Sequence, residues 1–248
     1  AEISPSEIDL IILATTTPDK IFPATSTMLQ DRLGASCPAF DLQAVCAGFV
    51  FALTTAQQYI ENGNFKNILV VGSETMSKIV DWSDRSTAIL FADGAGAVVI
   101  SSDTSAGIKH SKLYSDGSFM SSLHVNNNGI NELGTIEMSG NEVFKIAVNR
   151  LSDLAEETLQ DCNMTSDDIT WMVPHQANIR IIKAVAKRIN LPMSKVIQTL
   201  DTHGNTSAAS IPLALDTAVR DGRIKKGDML LFEGIGGGFS WGSVLVEY

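Results

Sequence analysis

YIENGNFKNILVVG (59–72) and VRDGRIKKGDMLLFEG (219–234) are written to one plan: a helix end, a glycine, a lysine-bearing step and an apolar strand. A glycine just past a helix is the usual C-terminal stop, so both stretches predict helix, turn, strand in that order. The likeness extends outward. DGAGAVVI (93–100) matches GFSWGSVLV (238–246), glycines followed by a closing strand, and SEIDLIILAT (6–15) matches DDITWMVPHQ (167–176). The first and third comparisons are offset by about 160 residues and the second by about 145, the signature of a duplicated unit.

Apolar runs bounded by turn residues predict strands at 10–15, 39–42, 68–71, 88–91, 97–101, 171–173, 196–200, 229–232 and 242–246. Helical periodicity predicts helices at 24–33, 48–60, 141–162, 179–189 and 207–220. Strands alternating with helices imply an α/β protein with largely parallel pairing. The halves are 1–105 and 141–248, with a connecting segment at 106–140. The second half opens with a long helix before its first DDITWMV strand, whereas the first opens directly at the strand and without a Met. The expectation is that a leading segment of the first half precedes residue 1.

The bulk composition narrows the function. The chain has 248 residues, 44% hydrophobic and 19% charged, which suits a globular core. A net charge of -10 disfavours nucleic acid, since phosphates need a basic surface. Three unpaired-looking cysteines and scattered histidines give neither a disulfide framework nor a metal-ligand spacing. The most apolar window, 44–52, is short of a spanning helix, and the acidic start carries no secretory signal. These features predict a cytoplasmic protein with no metal.

Three polar residues stand at element ends. Cys46 lies where the strand at 39–42 gives way to the helix at 48–60, among Ala44, Ala47 and Gly48. It reads either as a small buried hydrophobe or as a nucleophile whose thiolate the helix amides would stabilise, and local geometry leaves both open. His175 follows the strand at 171–173 after Pro174, at the edge where open α/β sheets bind ligands; a histidine satisfied at a helix start is the other reading. Asn205 sits in the small-residue turn HGNTSAAS. An N-cap is its ordinary role, but it lies 17 residues before Gly222, as Cys46 lies 17 before Gly63, so the repeat sets the two opposite each other. His110, His124 and His203 lack comparable settings. GIGGGFS (234–240) reads as a flexible turn or as bare backbone offering N–H groups to a substrate. Arg180, Lys183 and Lys187 form a cationic stripe beside His175, fitted either to solvent or, on so acidic a chain, to an acidic partner.

AVCAGF (44–49), ADGAGA (92–97), NEVFK (141–145), VPHQANIRII (173–182), HGNTSAAS (203–210) and GGGFSWG (236–242) together closely resemble the β-ketoacyl-acyl-carrier-protein synthase III family of bacterial fatty-acid synthesis. They span nearly the whole chain. The resemblance implies the thiolase fold, duplicated halves in a five-layered αβαβα sandwich, usually as a homodimer. It implies that Cys46 takes acetyl, or another short acyl group, from acyl-CoA, with CoA a substrate and no cofactor needed. His175 and Asn205 would then donate hydrogen bonds to the thioester carbonyl of malonyl-acyl carrier protein (malonyl-ACP). Decarboxylation and condensation give acetoacetyl-ACP, CO2 and CoA. The backbone N–H groups of Cys46 and Gly237 resemble the oxyanion hole. Arg85, Gly140 and Asn178 match CoA-binding positions, and Phe22, Phe91 and Met138 match the acyl pocket, with pocket loops in 106–140. Lys145, Gln176, Ala177, Asn178, Ile179, Arg180 and Lys187 match the carrier-protein surface.

Other functions place the same residues differently. A related starter-unit condensing enzyme, of quinolone or polyketide type, shares the Cys–His–Asn set. A papain-like cysteine protease shares the order Cys46…His175…Asn205 with 129 residues between the first two, but lacks that family's local cysteine signature and architecture. An inactive fragment that only binds carrier protein is the non-enzyme reading.

Overall fold

A computed structural model of the chain describes residues 2–102, 106–127 and 133–248. The first sheet contains β1 (Leu10–Ala14), β2 (Ala39–Leu42), β3 (Asn67–Thr75) and β4 (Asp93–Ser101), in the order β2-β1-β3-β4. β1 runs parallel to β2 and β3, and β4 closes the sheet antiparallel. Helix α1 (Thr25–Leu33) follows β1, α2 (Gly48–Glu61) joins β2 to β3, and a short α3 (Arg85–Ala88) precedes β4. Parallel strands need such crossovers, because a tight turn cannot return the chain to the same end.

The second sheet repeats the plan in the order β5-β10-β9-β8, from β5 (Gly107–Ser115), β8 (Trp171–Pro174), β9 (Met229–Gly236) and β10 (Ser240–Glu247). β8 and β9 are parallel, and the rest is antiparallel. Between β5 and β8 come a hairpin, β6 (Leu123–Asn127) with β7 (Leu133–Met138), and the long α4 (Gly140–Asp161). After β8 come α5 (Ile179–Arg188), α6 (Leu200–His203) and α7 (Ser210–Arg220).

The layers follow from which faces are apolar. α2 is buried on most sides because Phe49, Val50, Ala52, Leu53 and Ala56 all face core. With α7 it fills the space between the sheets, against Leu10 and Ile12 of β1, Val70 of β3 and Leu230 and Phe232 of β9. α4 and α5 cover the outer face of the second sheet, and α1 covers the outer face of the first through Leu29 against Ile11. This is the five-layered αβαβα sandwich of the thiolase fold.

Two glycines hold the middle together. Each central strand presses on the short 3-10 turn that starts the central helix of the other half. A Cβ on Gly72 of β3 would lie 2.3 Å from the Ala208 carbonyl, and one on Gly234 of β9 would lie 3.1 Å from the Cys46 carbonyl. The two turns, Val45–Ala47 and Ser207–Ala209, are conformational copies: Val45 has φ 49 and Ser207 φ 48. This corrects the repeat register. α2 has 14 residues and α7 only 11, so counting back from the helix-ending glycines slips by a turn of helix. Cys46 is matched by Ala208, and Asn205 lies three residues before that match.

Three further expectations change. The predicted strand at 88–91 is instead the last residue of α3, a turn and one isolated bridge from Phe91 to Asn205; α3 is started by the Asp84 side chain accepting from Ser86 N. The strand at 196–200 shrinks to a bridge between Met172 and Val196, because Leu200 already begins α6. The segment 106–140 is not merely a connection: β5 pairs with β10 along eight residues and belongs to the second sheet.

Gly72→Ala is expected to cost about 1–3 kcal/mol by forcing β3 and the 207–209 turn apart. At this chain length that lowers Tm by roughly 3–10 °C. Gly117→Ala, with open space at its Cβ, is the control and should melt with the parent; equal melting of both variants would contradict the packing account.

Candidate active site

Cys46 is placed by the turn Val45–Ala47, which runs straight into α2. Val45 holds a left-handed backbone that a β-branched side chain rarely adopts, a local strain maintained by the packing of Gly236 against Val45 and the Cys46 amide. The thiol is buried, with 4% of the residue exposed. Burial pushes its pKa up to about 12, and the charge of Glu74 pushes the same way, while a hydrogen bond with the Ser207 side chain and the cysteine's own backbone N–H pull it down. Burial thus opposes the helix amides on which the thiolate reading of Cys46 relied. Desolvation outweighs the amides, and Cys46 is a neutral thiol at rest.

His175 leaves the end of β8 with its N–H donated to the Glu233 carbonyl at 2.7 Å. Its Nδ1 lies 2.6 Å from Ser210 Oγ, the first residue of α7, and that oxygen also accepts from Gln176 N at 3.3 Å. The contact fixes the ring through Nδ1, and which atom donates in it follows the histidine tautomer. Burial drives the imidazole pKa down to about 3, so the ring is neutral throughout the physiological range. Asn205 is anchored through Phe91's neighbours: its N–H donates to Leu90 O and its carbonyl accepts from Ala92 N, both at 2.9 Å. Its Oδ1 accepts from Ser207 N at 3.0 Å, which leaves the Nδ2 hydrogens to donate elsewhere.

One turn, 205–210, therefore gathers the site. It carries Asn205, touches Cys46 through Ser207, and holds His175 through Ser210. Beside it lies a cavity of about 1030 Å³ whose wall includes Cys46, Met76, Ile79, Phe91 and Gly237. Phe91 and Gly237 are among the residues that line it. Phe22 is not: it is 82% exposed and outside the wall, and the neighbouring Ile21 lines the cavity instead. Met138 is half-buried and packs behind the wall against Met76, Ile79 and Ile136.

The outer candidates divide. Lys145, Arg180, Lys183 and Lys187 are exposed, and the Arg180 guanidinium lies 5.3 Å over the Phe144 ring. Asn178 caps α5, accepting from Arg180 N at 2.8 Å. Ala177 and Ile179 are half-buried at the same helix start, and Ala177 packs against the α4–α5 core. Arg85 and Gly140 are exposed at the starts of α3 and α4, outside the cavity wall. Gln176 is a correction. It is fully buried, donates to Pro174 O at 2.8 Å and Ile197 O at 3.2 Å, and accepts from Thr199 N at 3.0 Å, so no carrier protein can reach it.

Sequence reasoning missed four residues. His124 lines the cavity; nothing in its local sequence signals that. Ser210 and Ser207 were hidden in an alanine-rich turn. Glu74 is 2% exposed at the end of β3, and an acid inside the run ILVVGSET was the available signal. Among the described residues, no group of three His, Cys, Asp or Glu could hold a metal, and no helix is long and apolar enough to cross a membrane.

The comparisons agree with this geometry. Residues 40–117 match the family model described as 3-oxoacyl-[acyl-carrier-protein (ACP)] synthase III, and residues 159–248 match its C-terminal model. A β-ketoacyl-[acyl-carrier-protein] synthase III of Vesicomyosocius okutanii is 71% identical over the whole chain, which spans 79% of that relative. One from Methylococcus capsulatus is 55% identical, again over the whole chain and 79% of the relative. The crystal structure of 3-oxoacyl-[acyl-carrier-protein] synthase III from Aquifex aeolicus superposes with a TM-score of 0.96 at 45% identity, covering 99% of this chain and 79% of that one.

Gln176→Ala leaves three buried backbone groups without partners and is expected to cost at least about 2 kcal/mol. Chemical denaturation should show that loss, whereas Lys187→Ala, on an exposed face, should stay within about 0.5 kcal/mol of the parent.

Proposed function

The chain belongs to the β-ketoacyl-acyl-carrier-protein synthase III family, condensing acyltransferases of fatty-acid synthesis, and on that premise we propose how its residues divide the work. Cys46 is the nucleophile. It attacks the thioester of acetyl-CoA or another short acyl-CoA, and the acyl group passes to sulfur as CoA leaves. The tetrahedral oxyanion is met by the backbone N–H groups of Cys46 and Gly237.

Malonyl-ACP then enters, and His175 Nε2–H and Asn205 Nδ2–H donate to its thioester carbonyl. As CO2 departs, electrons move onto that carbonyl as an enolate, which the two donors stabilise. The enolate carbon attacks the acyl-cysteine, releasing acetoacetyl-ACP. The observation that carries this reading is the state of the two donors. Burial keeps His175 uncharged, Ser210 Oγ holds the ring through Nδ1, and Ser207 N occupies the acceptor end of Asn205. A neutral imidazole stabilises the enolate without protonating it, whereas an imidazolium would quench the carbanion before it could attack.

The exposed cations Lys145, Arg180 and Lys187 are the docking surface for the acidic carrier protein, with Ala177, Asn178 and Ile179 at its apolar centre. Arg85, Gly140 and Asn178 bound the approach of CoA. A second copy of the chain covers Ile21 and Phe22, which are 101% and 82% exposed in one copy, and makes the homodimer. A reaction between CoA and carrier-protein thioesters suits a cytoplasmic enzyme, and the acyl-CoA acts as substrate with no cofactor.

Intact mass after incubation with acetyl-CoA is expected to show one acetyl group, absent in Cys46→Ala. His175→Ala and Asn205→Ala should still load acetyl but lose condensation by about 10²–10³-fold each. Loading on another residue, or condensation retained in both variants, would refute the assignment.

A further inference from the structure

A buried carboxylate behind the thiol has no part in the steps above. Glu74 ends β3 with 2% of its surface exposed, and every bond made to it comes from a neutral donor. Its Oε2 accepts from Thr17 Oγ1 at 2.7 Å, Thr16 N at 3.1 Å and Thr15 Oγ1 at 3.4 Å. Its Oε1 accepts from Ser207 Oγ at 3.0 Å. The turn that carries Ser207 packs directly on the 45–47 turn that carries Cys46, which sets the hydroxyl beside the thiol. Since Ser207 spends its single hydroxyl hydrogen on Glu74, its oxygen is left to accept the S–H of Cys46. The chain of donors runs in one direction, from thiol to hydroxyl to carboxylate.

The duplicated fold does not require this carboxylate. The matched residue in the second half is Gly236, where the packing of Val45 and Cys46 leaves no room for a side chain. Architecture alone thus accepts glycine at this point, and burying an acid without a cation there is costly. Cys46 presents the complementary problem, a desolvated thiol that must nonetheless become a nucleophile. Two adjacent buried anions repel, but a thiol and a carboxylate sharing one proton carry a single negative charge wherever that proton sits.

We propose that Glu74, acting through Ser207, is the residue that takes the Cys46 proton when the acyl group is loaded and returns it when the acyl group leaves. This deepens the reading of Cys46 as nucleophile and rests on it. In loading, the Sγ–acyl bond forms as the bond to CoA sulfur breaks. The thiol proton moves to Ser207 Oγ while the Ser207 proton moves to Glu74 Oε1, and the CoA thiolate takes its proton from water. In condensation the Sγ–acyl bond breaks as the carbon–carbon bond forms, and the departing Cys46 thiolate recovers the proton by the reverse path. One proton is drawn from water per cycle, matching the loss of CO2 from a malonyl carboxylate.

The groups facing Glu74 are Thr15, Thr16 and Thr17 beyond β1, Ser207 and Ala208 of the turn before α7, and Cys46. Asp93 of β4 is occupied by Ser77 N and Oγ. Glu74 and Cys46 are therefore the pair that titrates together.

The test is the rate of Cys46 alkylation by iodoacetamide against pH, which needs no acyl-CoA. In the parent the rate should be level across about pH 7–9, because the base is internal. A thiol ionising alone near pKa 12 would instead gain tenfold per pH unit, and that slope in the parent overturns the proposal. Glu74→Gln keeps the shape and removes the acceptor, and should be at least tenfold slower at pH 7 with the unit slope restored. If Glu74 were only a neighbouring charge, its removal would ease ionisation and make Cys46 faster, the opposite sign. Ser207→Ala breaks the path with Glu74 intact and should slow alkylation likewise; an unchanged rate would count against the relay. Acetyl loading on Cys46 is followed separately, so failure of the nucleophile assignment is read from the mass and failure of the relay from these profiles.

Discussion

The contact on which the rest depends is the pressure of each central strand on the other half's helix-start turn, made possible by the missing side chains of Gly72 and Gly234. It brings the turns at 45–47 and 207–209 against each other between the two sheets. Everything chemical hangs on those turns or on the strand ends beside them: Cys46, Asn205, Ser207, Ser210, Glu74 and His175. Sheets joined only by apolar side chains would stand about 10 Å apart. Here α2 and α7 fill that space over most of its area, and the glycines let backbone meet backbone where the helices begin.

Burial then sets the electrical state of the site. It acts against charge on every group, raising Cys46 and Glu74 and lowering His175. The histidine consequence is useful directly, since a neutral donor suits an enolate. The cysteine consequence is a difficulty, because a neutral thiol is a poor nucleophile. The same burial that opposes the thiolate raises the pKa of the neighbouring carboxylate. The two effects are coupled through one serine hydroxyl.

Much of this was legible in the chain. The apolar runs at β1, β2, β3 and β9 and the helix-ending glycines gave the duplicated α/β plan, and the small-residue turns singled out Cys46 and Asn205. The exact pairing of copies was not legible, because α2 and α7 differ by three residues and only the backbone of Val45 and Ser207 reveals which turn residues correspond. β5, GIKHSKLYS, was lost because an edge strand carrying lysines and a histidine has no clean apolar alternation. Gln176 was misassigned because the family resemblance put the whole run 176–180 on the carrier-protein surface, while here its amide serves three buried backbone groups. The role of Glu74 depends on a contact with a residue 133 positions away, which no local pattern can carry.

Duplication explains why there is one site and not two. Symmetry delivers equivalent turns, but the side chains on them differ: Cys46 against Ala208, Val45 against Ser207, and Glu74 against Gly236. The first half carries Cys46 and Glu74, the proposed nucleophile and its base, and the second carries His175, Asn205 and Ser207. A second cysteine at Ala208 would find Gly236 where the first finds Glu74, and Val45 where the first finds Ser207, so it would have neither acceptor nor bridge. The reacting set is therefore complete only across the axis. Backbone strain at Val45 and Ser207 is shared by both copies and belongs to the fold; the chemistry lies in the substitutions that break the symmetry.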